Sequence, residues 1–173
     1  MMKAYRVEQG SPEWMALRCG IPTASDFDKI VTSKGEPSKQ RTKYLYQLAG
    51  EGLAGEKYGA YTSPAMERGK ALEQEARILY ELITGSEVLS GGFFATDDHQ
   101  YGASPDGIIA DVDGAGGIVL IKGALEIKCP LPHTHVEYLL NGTVPTEYFQ
   151  QVQGELLLTG APWIDFMSYF PGV

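Results

Sequence analysis

Ser104-Pro105-Asp106-Gly107 and Leu125-Glu126-Ile127-Lys128-Cys129-Pro130 are the two short stretches on which the reading of this chain turns. In a strand the side chains alternate with a period of two, so Glu126 and Lys128 share one face and Ile127 takes the other. Alone, this is the pattern of any half-exposed strand. The upstream stretch changes its meaning. Asp106 stands where a strand resumes after a proline, and a hairpin can bring it beside Glu126. An Asp and a Glu together form a pair of hard oxygen ligands suited to Mg²⁺ or Mn²⁺. Lys128, beside such an ion, can stabilise developing charge or orient an attacking water.

Working outward, the residues after Leu125-Cys129 predict helices over Thr134 to Asn141 and Thr146 to Thr159, closed by Gly142 and Gly160, then a last strand from Trp163 to Tyr169. Pro130 and Pro132 stop the sheet. Before Asp106, Glu87 to Ala95 is rich in β-formers and Tyr101 to Val112 holds two strand segments broken at Pro105. Asp113-Gly114-Ala115-Gly116-Gly117 reads as a hairpin connection to strands at Ile118 to Ile121 and Leu125 to Cys129. The first half reads as helical. Ser11-Pro12 and Ser63-Pro64 are N-caps followed by proline, Ser25 is a further helix start, and Lys39 to about Leu53 repeats apolar residues at helical spacing. The helix from Pro64 would bury Leu72, Ala76, Leu79, Tyr80 and Ile83 and stop at Gly85. The expected architecture is one α/β domain over residues 1–173, a mixed central β-sheet flanked by helices.

The chain has 173 residues, 43% of them hydrophobic, enough to bury a core and too many for a disordered or collagen-like chain. Its two cysteines make no disulfide framework, residues 1–10 lack a signal-peptide apolar stretch, and no apolar run is long enough to span a membrane. A reduced, cytoplasmic setting is expected. The net charge of -8 argues, taken alone, against a polyanionic partner. It is unevenly spread: residues 1–50 hold eight Lys/Arg against five Asp/Glu, and residues 51–173 hold six against seventeen. The basic run Lys34, Lys39, Arg41, Lys43 reads most simply as a solvated loop, whereas the acidic remainder suits divalent cations.

A third carboxylate comes from Arg68-Gly69-Lys70 through Glu73, one residue after Leu72; by helix position alone Glu73 reads as solvated. Taken together, these stretches resemble the PD-(D/E)XK nucleases, through Asp106 and Glu126-Ile127-Lys128. Within them the chain resembles the lambda-exonuclease or YqaJ-like viral recombinase branch. The likeness rests on Trp14-Met15-Ala16-Leu17-Arg18 with Gly20-Ile21-Pro22-Thr23-Ala24-Ser25, on Arg68 to Arg77, on the two opening stretches and on Tyr148-Phe149-Gln150-Gln151-Val152-Gln153, in family order from about Ser11 to Pro171.

The resemblance implies a restriction-endonuclease-like core and a metal-dependent 5′-to-3′ exonuclease on double-stranded DNA. It would leave 3′ single-stranded tails for phage-type recombination in a bacterial host, with a single-strand annealing protein as partner and a homotrimer as assembly. It makes Asp106, Glu126 and the Ile127 carbonyl ligands of Mg²⁺ or Mn²⁺, Glu73 a ligand toward a second ion, and Lys128 the catalytic lysine. It places Arg18, Ser25, Ser104 and Gln151 around the 5′-phosphate of a DNA end. A guanidinium grips phosphate in a fork, and hydroxyls and a carboxamide donate without adding charge. Without the family, Gln151 and Tyr148 read equally well as helix-surface residues, and Ser25 as a cap. Two departures from the phage prototype stand out: a longer connection from Asp106 to Glu126, and an end at Pro171-Gly172-Val173 directly after the last strand. The rival readings are a restriction-like or RecB-type endonuclease and a nuclease-dead DNA-binding module. His133 and His135 read as an exposed loop pair, His99 as a turn, Cys129 as a small core residue, and Trp14 and Trp163 as core residues.

Overall fold

The computed structural model describes residues 2–57 and 63–172, the side chain of Ala65 excepted. The chain runs β1 (Met2–Tyr5), α1 (Pro12–Arg18), a 3-10 turn (Ala24–Lys29), α2 (Arg41–Ala54), α3 (Pro64–Thr84), β2 (Leu89–Ser90), β3 (Phe93–Thr96), β4 (Gly102–Ala103), β5 (Gly107–Val112) and β6 (Ile118–Lys128). It ends with α4 (Pro132–Asn141), a second 3-10 turn (Thr146–Tyr148), α5 (Phe149–Thr159) and β7 (Ile164–Ser168). The expected caps close α1 and α3: Ser11 Oγ accepts from the Trp14 N–H and Ser63 Oγ from the Met66 N–H, each at 3.2 Å. Gly85 ends α3 at φ 68°, a conformation only glycine enters without strain.

The strands form two sheets, β1-β3-β4 and β2-β5-β6-β7, rather than one. Besides the helical connection from β1 to β2, the chain crosses directly between them at Gly91-Gly92 and at Ser104-Pro105, and these two crossings touch. A Cβ on Gly91 would lie 1.7 Å from the Pro105 carbonyl oxygen. Proline has no N–H to continue the ladder and glycine has no side chain to keep the segments apart, so both segments end there. In the larger sheet β5 and β6 are antiparallel while β6 and β7 are parallel, pairing Leu125 with Asp165 and Lys128 with Ser168. Residues 118–121 and 125–128 belong to the single strand β6, whose pairing with β5 absorbs two register shifts. The long connection from Asp106 to Glu126 is this extended hairpin, closed by Asp113 and Gly116.

β6 divides the interior. Leu125 and Ile127 pack with Ala76 and Tyr80 of α3, whereas Ala124 joins Ile108 and Phe94, with Leu156 of α5 and Ile164 packed against them. Glu126 is therefore turned toward α5. Gly154 lets α5 approach closely, since a Cβ there would meet Phe27 at 2.5 Å and Ala24 at 3.1 Å.

Several expectations change. Ile83 is 71% exposed because it lies beyond the last turn of α3 that packs on the sheet. Thr23, not Ser25, stands at the start of the 24–29 turn, and no side chain caps it. His135 is buried on α4, its Nδ1 2.7 Å from Ser168 Oγ, while His133 is exposed. Trp163 is 40% exposed and covers Gly123 instead of filling the core.

Candidate active site

Asp106 sits in the bend that opens β5, and its Oδ2 accepts from the Ile127 N–H at 2.7 Å. The last β5–β6 pair is Gly107 with Leu125, so Ile127 lies beyond the ladder on that side. In an extended strand the N–H and C=O of one residue point the same way, so the Ile127 carbonyl also faces the Asp106 side. Glu126 is 1% exposed, and its Oε1 accepts from Lys128 Nζ and from Gln151 Nε2, both at 2.5 Å. Glu73 reaches the same place through Arg77, whose Nη2 donates to Glu73 Oε1 at 3.3 Å and to the Asp106 carbonyl at 2.6 Å.

Burial holds the Asp106 carboxyl well above the usual carboxylate range, and the nearby charges of Glu126 and Glu73 raise it further. Burial and Glu155 push Glu126 up to about 8 against the pull of Lys128. Glu155, on α5 and 1% exposed, is pushed up to about 7, chiefly by burial. Burial works against the charge on Lys128, but Glu126 and Asp106 outweigh it and raise its pKa. The carboxylates are thus crowded beyond what one ammonium compensates. Among the described residues, Glu126 Oε2 and Glu155 Oε2 are buried oxygens with no donor, and no three His, Cys, Asp or Glu side chains form a ready metal cluster. The orphaned Glu126 oxygen, beside Asp106 in a raised-pKa cluster, is what a divalent cation would satisfy, so the donor set fits one.

A second group of polar side chains adjoins this cluster. Arg18 Nη2 donates to Thr23 Oγ1 at 3.2 Å and to Ser25 Oγ at 3.4 Å, with its guanidinium carbon 4.1 Å from the centre of the Trp14 ring. Trp14 Nε1 donates to Ser104 Oγ at 2.7 Å. Trp14 therefore ties Arg18 to Ser104, two residues before Asp106. Because the Ser104 oxygen accepts from the indole, its own hydrogen is left to donate elsewhere. Arg18, Ser25 and Ser104 stand together, and Gln151 is on the carboxylate side, bonded to Glu126 and Glu155.

The sequence model of the YqaJ-like viral recombinase domain matches residues 13–162. The chain belongs to that family. Two solved structures of the alkaline exonuclease LHK-Exo from Laribacter hongkongensis are similar to it, one of them in complex with dAMP. They are 33% and 34% identical with TM-scores of 0.77 and 0.78, and the match covers 94% of this chain and 76% of theirs. A phage-related exonuclease from Haemophilus somnus 129PT, 18% identical with a TM-score of 0.58, over 88% of this chain and 70% of its own, shares the fold. No curated protein matches. Membership and these neighbours make the chain a nuclease of the phage exonuclease type, which implies DNA as its substrate class. Among the described residues no helix is long and apolar enough to cross a membrane.

The sequence assigns no role to Arg77, though it ends a matched stretch, and does not single out Glu155 at all. The spacing Gln151-x-x-x-Glu155 places both on one helix face, but nothing in it distinguishes an inward face from a solvated one.

Proposed function

We propose that this chain is a 5′-to-3′ exonuclease that enters double-stranded DNA at a phosphorylated 5′ end and leaves a 3′ single-stranded tail. The observation that carries this reading is the shared segment Ser104–Asp106: Ser104 is bonded to Trp14, on which Arg18 stacks, and Asp106 is bonded to the strand that carries Glu126 and Lys128. A phosphate held by Arg18, Ser25 and Ser104 would thus be kept at a set offset from the carboxylates, which is what trimming from an end requires.

In this reading Asp106, Glu126 and the Ile127 carbonyl hold a first Mg²⁺ or Mn²⁺, and Glu73 serves a second. Bound there, such ions supply Lewis acidity toward the phosphodiester and lower the pKa of water. The protein's own residues do the rest. Arg77 keeps Glu73 and the Asp106 backbone in register, and Lys128 places a fixed positive charge where negative charge develops on the phosphate. Gln151 joins the end pocket by a change of partner, passing to a phosphate oxygen the hydrogen it now gives Glu126. The expected setting is the cytoplasm of a bacterial host of phage or prophage, with a single-strand annealing protein as partner and a homotrimer as the working assembly.

The test is digestion of linear duplexes labelled separately at each end, with matched 5′-phosphate or 5′-hydroxyl termini, with and without Mg²⁺. Loss of label from phosphorylated 5′ ends first is the expected result. Cutting of covalently closed circles, or no preference between termini, would instead favour an endonuclease.

A further inference from the structure

Glu155 is a buried carboxylate to which the mechanism above gives no task. An unpaired charge is costly at such a depth, and an apolar side chain would fill the space without that cost. Its bonding points to a reason for its presence. Glu155 Oε1 accepts from Gln151 Nε2 at 3.0 Å, and the same nitrogen donates to Glu126 Oε1 at 2.5 Å. Glu126 Oε1, which already accepts from Lys128, lies on one side and Glu155 Oε1 on the other, so two accepting oxygens face the carboxamide and only its nitrogen end serves both. Without Glu155, one partner would remain, on the side where a phosphate competes. The amide could then turn over and present its carbonyl oxygen to an anion. The helix beneath is also held. Gly154 is wedged against Phe27 and Ala24, and Gln150 Nε2 donates to the Val31 carbonyl at 3.2 Å.

We propose that Glu155 is a positioning residue that anchors one amide hydrogen of Gln151, keeping the other available to the site: to Glu126 in the free protein, and to the terminal phosphate when a DNA end is bound. The proposal rests on the end-reading function put forward above.

The experiment compares initial rates on matched 5′-phosphate and 5′-hydroxyl duplexes for wild type, Glu155→Met, Glu155→Gln, Gln151→Ala and the Gln151→Ala/Glu155→Met double variant. Methionine keeps the bulk and removes the acceptor; Glu155→Leu serves equally if the methionine packs poorly. Glu155→Met should lose about tenfold of the preference for phosphate, mainly in KM, as expected for one charge-assisted hydrogen bond. Glu155→Gln, whose carbonyl still accepts from Gln151, should recover to within about threefold of wild type. In the Gln151→Ala background, Glu155→Met should cost nothing more, because its effect passes through the missing amide. The proposal is overturned if Glu155→Met keeps the full preference while Gln151→Ala loses it, if Glu155→Gln is as impaired as Glu155→Met, or if the losses add. Absence of any preference in wild type is a different failure, that of the end-reading function itself.

Discussion

Replacing Glu126 by glutamine should stabilise the metal-free protein, and increasingly so as the pH rises. The folded protein keeps a proton on Glu126 up to about pH 8, whereas an unperturbed glutamate gives it up near 4.5. Between those values the folded state binds more protons than the unfolded chain, so raising the pH removes stability. The full difference is worth on the order of 3–5 kcal/mol at 1.36 kcal/mol per pH unit. That is a large share of the roughly 5–15 kcal/mol that holds a domain together. Glutamine keeps an oxygen for Lys128 and Gln151 and carries no charge to be desolvated. Thermal unfolding followed by circular dichroism in EDTA should place Glu126→Gln close to wild type at pH 5 and about 10 °C above it at pH 9, at roughly 2–4 °C per kcal/mol for a chain of this size. Asp106 and Glu155 are shifted in the same direction, so the variant should keep a shallower slope of its own. Equal melting temperatures at pH 9, or a wild type that gains stability from pH 5 to pH 9, would refute the reasoning.

Asp106→Asn should abolish Mg²⁺-dependent digestion by at least about a hundredfold while the far-UV spectrum stays native, since the amide oxygen still accepts from the Ile127 N–H. Full turnover by that variant in the same digestion assay would remove Asp106 from the site. Lys128→Met should lower kcat far more than it weakens DNA binding measured by anisotropy, because a fixed charge matters most where charge develops in the transition state. Arg18→Ala should erase most of the preference for 5′-phosphate, about ten- to a hundredfold, and spare slow cleavage of 5′-hydroxyl ends; equal losses on both termini would make Arg18 structural. Gly154→Ala should cost about 1–3 kcal/mol in urea unfolding, because its Cβ meets the Phe27 ring at 2.5 Å.

What could be read from the sequence was what depends on neighbours along the chain. Ser11-Pro12 and Ser63-Pro64 start helices, and Gly85, Gly142 and Gly160 end them, because caps satisfy backbone groups within one turn. Pro105 breaks a strand because it has no N–H, wherever the strand goes. The order of the motifs, compared with a family, brought Asp106, Glu126 and Lys128 to notice, and the fold places them together. What depends on contacts between distant residues was not legible. The pattern predicts one sheet where Gly91 against Pro105 makes two, turns Ile83 inward on a helix whose last turn has nothing to pack on, and leaves His135 exposed although β7 covers it. Glu155 illustrates the limit best. A glutamate four residues after a glutamine has the same local propensity on a solvated face as on a buried one. Only the docking of α5 on Phe27 and β6, allowed by the missing side chain of Gly154, decides that this one is dry and bonded to the residue that grips Glu126.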